Sequence, residues 1–221
     1  MEAMSFGWNA LMKNFAGVAL PIAVAAFVAA VPGALIGVAY SLMASLVAEY
    51  VDPSFIGVLG SLVQATSSIV SLCVSSYITG GIASFALKVA RGQPVAFGDV
   101  FAGGPYFGRM FVAALCGGIA VVLGSMLCLV PGIIVGLGIS QYSYVVVDQG
   151  LGGVDALKKS WEMTNGHKMN IFVFALLGIG VVIAGYIACI LGAILVSAPV
   201  LCIGAAYIYL RIKGEQPRLP A

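Results

Sequence analysis

From Ala16 to Ala48 the chain runs 33 residues without a charge, and three more such runs follow: Ser54–Leu87, Met110–Val147 and Ile171–Leu210. A helix needs about 20 apolar residues to cross a bilayer core of roughly 30 Å. Each run is therefore long enough for one span or for a hairpin of two. Only 8% of the residues are charged and 62% are hydrophobic, whereas soluble domains carry roughly 25% charged residues. So few charges cannot cover a water-soluble surface. The expected class is an all-α polytopic membrane protein, with no room for a separate soluble catalytic domain.

Six transmembrane helices are expected, at about 16–48, 54–87, 110–130, 133–149, 171–195 and 197–212, followed by a disordered tail at 214–221. Pro32 lies inside the first block, where proline removes a backbone donor and crowds the preceding turn. It marks either a kink or a hairpin of two short helices. The kink is favoured, because half of this block as a helix reaches only about 24 Å. Three partly polar segments separate the spans. Met4–Phe15 is a surface helix or the first turn of the first span. Lys88–Arg109 is broken by Gly92-Gln93-Pro94. Asp148–Asn170 holds Trp161, the only histidine (His167) and three of the ten basic residues. It is expected to lie on the membrane surface, with Val154, Leu157 and Trp161 toward lipid.

Charge placement orients this arrangement. With six spans and both termini on one side, all ten lysines and arginines fall on that side. Glu49 and Asp52 fall opposite. Basic loops stay cytoplasmic, so the expected location is the cell (inner) membrane with both termini inside. Trp8 and Trp161, with Lys158, Lys159 and Lys168, are the candidate interfacial anchors. The lysines have two readings, topology determination or recognition of anionic lipid.

Each of three repeats joins a surface segment, a span, a proline-marked outer turn and a returning span. The turns are expected at Asp52-Pro53, Val130-Pro131-Gly132 and Ala198-Pro199. Small residues recur every fourth position, as in Gly33, Gly37, Ser41 and in Gly180 with its neighbours. Gly124, Gly132 and Gly136 belong to the same class. Such stripes let membrane helices approach closely, which predicts a tight bundle and association with a second copy or another membrane protein. The second span is rich in hydroxyls. Ser67, Ser71 and Ser75 serve either packing or a polar path.

No ionisable group lies at the centre of any expected span, although coupled transporters and voltage sensors need one. Nucleophile elbows, phosphate loops and zinc-protease motifs are absent from the sequence. Five cysteines sit in apolar runs without a CxxC pair. The reading is no enzyme, no cofactor and no metal. A net charge of +2 offers nothing to nucleic acid, so membrane lipids are the expected partners.

The combination Leu129-Val130-Pro131-Gly132, Val145-Val146-Val147-Asp148, Ala156-Leu157-Lys158-Lys159-Ser160-Trp161 and Gly166-His167 resembles a group of bacterial inner-membrane proteins. The group is related to the membrane domain that accompanies some glycerophosphodiester phosphodiesterases. The likeness covers about residues 80–212. It implies a six-span inner-membrane protein, and it does not imply phosphodiesterase activity, because the catalytic barrel with its acidic metal ligands is missing. The functional expectation is a non-enzymatic membrane module that scaffolds partners or organises lipids. The alternative is a passive channel or lipid-handling transporter using the second span.

Overall fold

The computed structural model describes residues 2–47, 50–188 and 193–218. Among them the chain is all-α: α1 (Glu2–Lys13), α2 (Phe15–Val47), α3 (Pro53–Ala90), α4 (Phe107–Leu127), α5 (Leu129–Ile139), α6 (Tyr142–Gln149), α7 (Gly153–Thr164), α8 (Lys168–Ala188) and α9 (Ala198–Lys213). Two short 3-10 turns, Phe97–Phe101 and Gly104–Tyr106, join α3 to α4. Five stretches are long and apolar enough to cross a membrane, and a sixth forms if α7 and α8 count as one bent element. The chain is thus a multi-pass membrane protein.

The first block is one helix. α2 continues through Pro21 and Pro32, so Pro32 does not turn a hairpin. A proline is tolerated inside a membrane helix where neighbours relieve the freed carbonyl. Two outer turns depart from expectation: Ala198-Pro199 opens α9 rather than forming a turn, and the second turn is displaced. Pro131-Gly132 lies inside α5, and the break falls at Cys128, whose backbone is extended. Proline fits there because the first turn of a helix has no use for its missing N–H. Across that turn α4 and α5 pack closely: a side chain on Gly124 would sit 3.2 Å from the Gly132 Cα.

The charged end of the bundle is the tightly packed end. Phe85, Val89, Ile22 and Ile203 meet in one core cluster, with Met110, Val145, Ala156 and Tyr209 in another. α1 lies along α9 and buries Ala3, Gly7, Ala10 and Leu11. At Gly7 a Cβ would stand 2.5 Å from the Val200 carbonyl oxygen. The N-terminal segment is therefore a packed helix, with Trp8 still half exposed.

The other end is sparse. Leu35, Val38, Leu42, Val58 and Leu62 are all exposed, as lipid-facing side chains should be. α2 and α3 hold to each other there, and the Tyr40 hydroxyl donates to the Ile56 carbonyl at 2.7 Å. α3 is 38 residues long and α4 is 21, so the α2–α3 hairpin is the longer of the two.

Residues 214–218, expected to be disordered, fold back across the end of α3. The Arg218 N–H donates to the Ala90 carbonyl at 2.9 Å. Charge pairing holds this return. Glu215 meets Arg91 at 3.0 Å and Lys213 at 2.6 Å, and a composition-based reading of eight terminal residues cannot see partners 124 positions away. Residues 219–221 lie outside the described residues.

Candidate functional site

The fourth apolar stretch is not one straight helix. It breaks after Ile139, and the chain resumes helix at Tyr142. A break beside hydrocarbon leaves backbone groups that water cannot reach, and each costs several kcal/mol unless the protein supplies a partner. α7 supplies them. The Ser160 hydroxyl donates to the Gly138 carbonyl at 3.0 Å and accepts the Gln141 N–H at 3.2 Å. The Thr164 hydroxyl reaches the same Gly138 carbonyl at 2.9 Å. Both side chains are fully buried.

α7 presents one exposed face and one buried face. Its buried face is the small-residue stripe Gly153, Ala156, Ser160, Thr164. Leu157 packs toward Gly117, while Val154 stays exposed. Trp161 covers Gly138 so closely that a Cβ there would overlap the ring. Lys168 sits 3.6 Å above the ring centroid. Trp161 is therefore a packing residue as well as a partly exposed one. Lys158 points to solvent, and Lys159 pairs with Glu162 at 3.3 Å. After Thr164 the chain turns through Gly166 and enters α8 at 100° to α7.

That turn leaves a cleft of about 640 Å³ between α3, α5, α6, α8 and α9. Thr79, Ile82, Phe174, Gly178, Leu201 and Gln141 are among its walls. Gln141 is 3% exposed, and no described group donates to its Oε1. A buried polar atom normally finds a partner, so this one stands out. Its Nε2 has only the Ser140 hydroxyl, at 3.5 Å. Tyr144, in the same wall, spends its hydroxyl on the Cys202 carbonyl at 2.9 Å. The volume falls within the 300–1,000 Å³ typical of small-molecule sites.

A second recess of about 460 Å³ shares Ile171 and Phe174 with the cleft. Glu2, His167, Asn170, Tyr207 and Arg211 give it a polar rim. Glu2 accepts from the Tyr207 hydroxyl at 3.0 Å and from Arg211 at 3.2 Å. These partners, Tyr207 first, hold the Glu2 carboxyl below the usual carboxylate range. Much of the Arg211 charge is thus already answered within the chain.

The wall above the cleft is fixed by an ion cluster. Asp148, at the end of α6, has a side chain only 6% exposed and pairs with Arg91 at 2.6 Å and Lys213 at 2.7 Å. The Tyr209 hydroxyl also donates to it at 2.8 Å. Three helix ends, α3, α6 and α9, are tied at one carboxylate. A buried carboxylate is tolerated when its lone pairs are this fully used.

No protein-family model matches the chain, and no solved structure matches it. Relatives do. The uncharacterized proteins Rv2560 of Mycobacterium tuberculosis and Mb2590 of Mycobacterium bovis are each 26% identical over 227 aligned residues, covering 97% of this chain and 69% of theirs. The similarity thus runs through every element described above.

The other expected site residues divide in two. Gly33 packs against Ser71, 2.8 Å from a would-be Cβ, with Ser67 next to it at 3.9 Å. The Ser75 hydroxyl donates to its own helix at Leu72, as does that of Ser76. Gly37, Gly136 and Gly180 face open space, and Ser41 bonds back to Val38. On α8 the packed glycine is Gly178, against Leu201, two positions from the glycine expected. Between Ile133 and Val147 Gln141 is the only amide in the sequence. Ser160 and Thr164 went unremarked, because their role depends on a helix break that apolar composition hides.

Proposed function

We propose that this chain is a non-enzymatic module of the bacterial inner membrane that holds lipid beside α8, with both termini cytoplasmic. The cleft of about 640 Å³ carries this reading. It is mostly apolar, lies among membrane-crossing helices and adjoins a polar recess at the charged end of the bundle. An acyl chain suits the first, and a polar end suits the second. The bias of basic residues toward that end supports a cytoplasmic placement. The quoted motifs support kinship with inner-membrane proteins related to the phosphodiesterase membrane domain. Ser67 and Ser71 turn toward Gly33 and Ser75 toward its own backbone, which supports packing over a pore along α3.

Photolabelling tests the reading. A phospholipid with a diazirine in its acyl chain, reconstituted with the chain in vesicles and irradiated, should mark peptides containing Phe174, Gly178 and Leu201. These should be marked above the outward-facing Leu115, Ile119 and Leu123 of α4. Labelling confined to the α4 surface would contradict it.

A further inference from the structure

The recess at the charged end of the bundle holds a group of each sign. Among its described lining residues Glu2 supplies a carboxylate and Arg211 a guanidinium, with His167, Asn170 and Tyr207 beside them. Their mutual contact leaves much of both unused. Tyr207 and Arg211 both donate to Oε2 of Glu2, and among the described residues none donates to Oε1. Arg211 gives Nη2 to Glu2 and keeps further N–H groups to offer. The His167 ring and the Asn170 amide are exposed, and no described group bonds either side chain. The recess therefore offers donors for an anion and an acceptor for a cation.

A ligand of single sign suits it poorly. An anion drawn to Arg211 meets Glu2, 3.2 Å from the guanidinium, and like charges brought together oppose binding. A headgroup with an ammonium two carbons from its phosphate can lie head to tail along the pair, each charge against its opposite. The ammonium must carry N–H groups to bond Oε1. A quaternary one has none and is held instead by aromatic faces, and the Tyr207 face already lies under Arg211, 5.8 Å from the ring centroid. Ile171 and Phe174 belong to both the recess and the apolar cleft. The cleft follows α8 from Ile171 to Ile183, about 18 Å of helix. We infer that the recess takes the headgroup of an ethanolamine phospholipid, its phosphate on Arg211, His167 and Asn170 and its ammonium on Glu2, with an acyl chain in the cleft. The inference rests on the lipid-holding reading above and names the headgroup.

Native mass spectrometry of the full chain, released from detergent after incubation with one probe at a time, tests this. The probes are phosphatidylethanolamine, phosphatidylcholine and phosphatidylglycerol with the same acyl chains, and water-soluble glycerophosphoethanolamine. The wild type should retain phosphatidylethanolamine about tenfold more than either other lipid, a difference of about 1.4 kcal/mol, and should not retain the soluble headgroup. Glu2→Gln keeps an acceptor for Tyr207 and Arg211 and loses the charge, so it should retain phosphatidylethanolamine and phosphatidylcholine equally. That preference is a ratio within one protein, independent of how much of the variant folds. A preference kept by Glu2→Gln would overturn the ammonium placement. Equal retention of the three lipids by the wild type, or more of either other lipid, would overturn the headgroup assignment and leave the lipid-holding reading standing. Soluble headgroup retained as well as its lipid would overturn the role of the acyl chain. No retained adduct of any of the three lipids would overturn both readings.

Discussion

At Gly138 a missing side chain serves two neighbours. The Trp161 ring occupies the space where a Cβ would stand, and the carbonyl is open to Ser160 and Thr164. Gly138→Leu would push the ring off and pull α7 from the break. Forced overpacking costs typically about 1–3 kcal/mol, so this variant should melt earlier than the wild type in detergent, followed by tryptophan fluorescence. An unchanged melting temperature would mean that the ring does not need the glycine. In the sequence Gly138 looks like its neighbours, one of 29 glycines. Only the position of Trp161, 23 residues further along the chain, gives it a role.

Among the elements, the C-terminal return is held by a carboxylate, which makes it sensitive to acid. Glu215 lies between Lys213 and Arg91, and these partners, Lys213 first, lower its pKa from the ordinary 4.5. A carboxylate with a depressed folded pKa stabilises the folded state fully above its unfolded value and loses that contribution as pH falls through the folded one. Residues 214–218 should therefore stay docked at neutral pH and loosen only below about pH 4.5, the shift placing the midpoint lower still. Hydrogen exchange at Arg218, whose N–H bonds to Ala90, reads this directly. Protection that is flat down to pH 3 would remove Glu215 from the latch. Elements like this one were hidden from the sequence because the partners are distant. The long helices were legible, because a charge-free run beside hydrocarbon has few other solutions. α7 was legible as amphipathic, while its buried small-residue face was not, although membrane helices approach through small side chains.

For the whole molecule, the greater length of α2 and α3 than of α4 and α5 leaves the topology's parity untouched. The α4–α5 hairpin leaves and returns at one end whatever depth it reaches, so the basic residues still share a side. Single cysteines at Asp52 and Lys158 should accordingly label from opposite faces of inverted and right-side-out vesicles, on a background with the native cysteines replaced. Labelling of both from one face would overturn the orientation. The charged end is dense, tied at Asp148 and packed by α1 and α7, and the cleft opens beneath it beside α8. Filling that cleft is the most direct test of the central claim. Ala175 lines it, and Ala175→Trp should occupy the space without touching the ion cluster. Native mass spectrometry of protein extracted from its own membrane should show a retained lipid on the wild type, and about tenfold less on the variant, a loss of about 1.4 kcal/mol. Equal lipid on both proteins would contradict the assignment of the cleft as the lipid site.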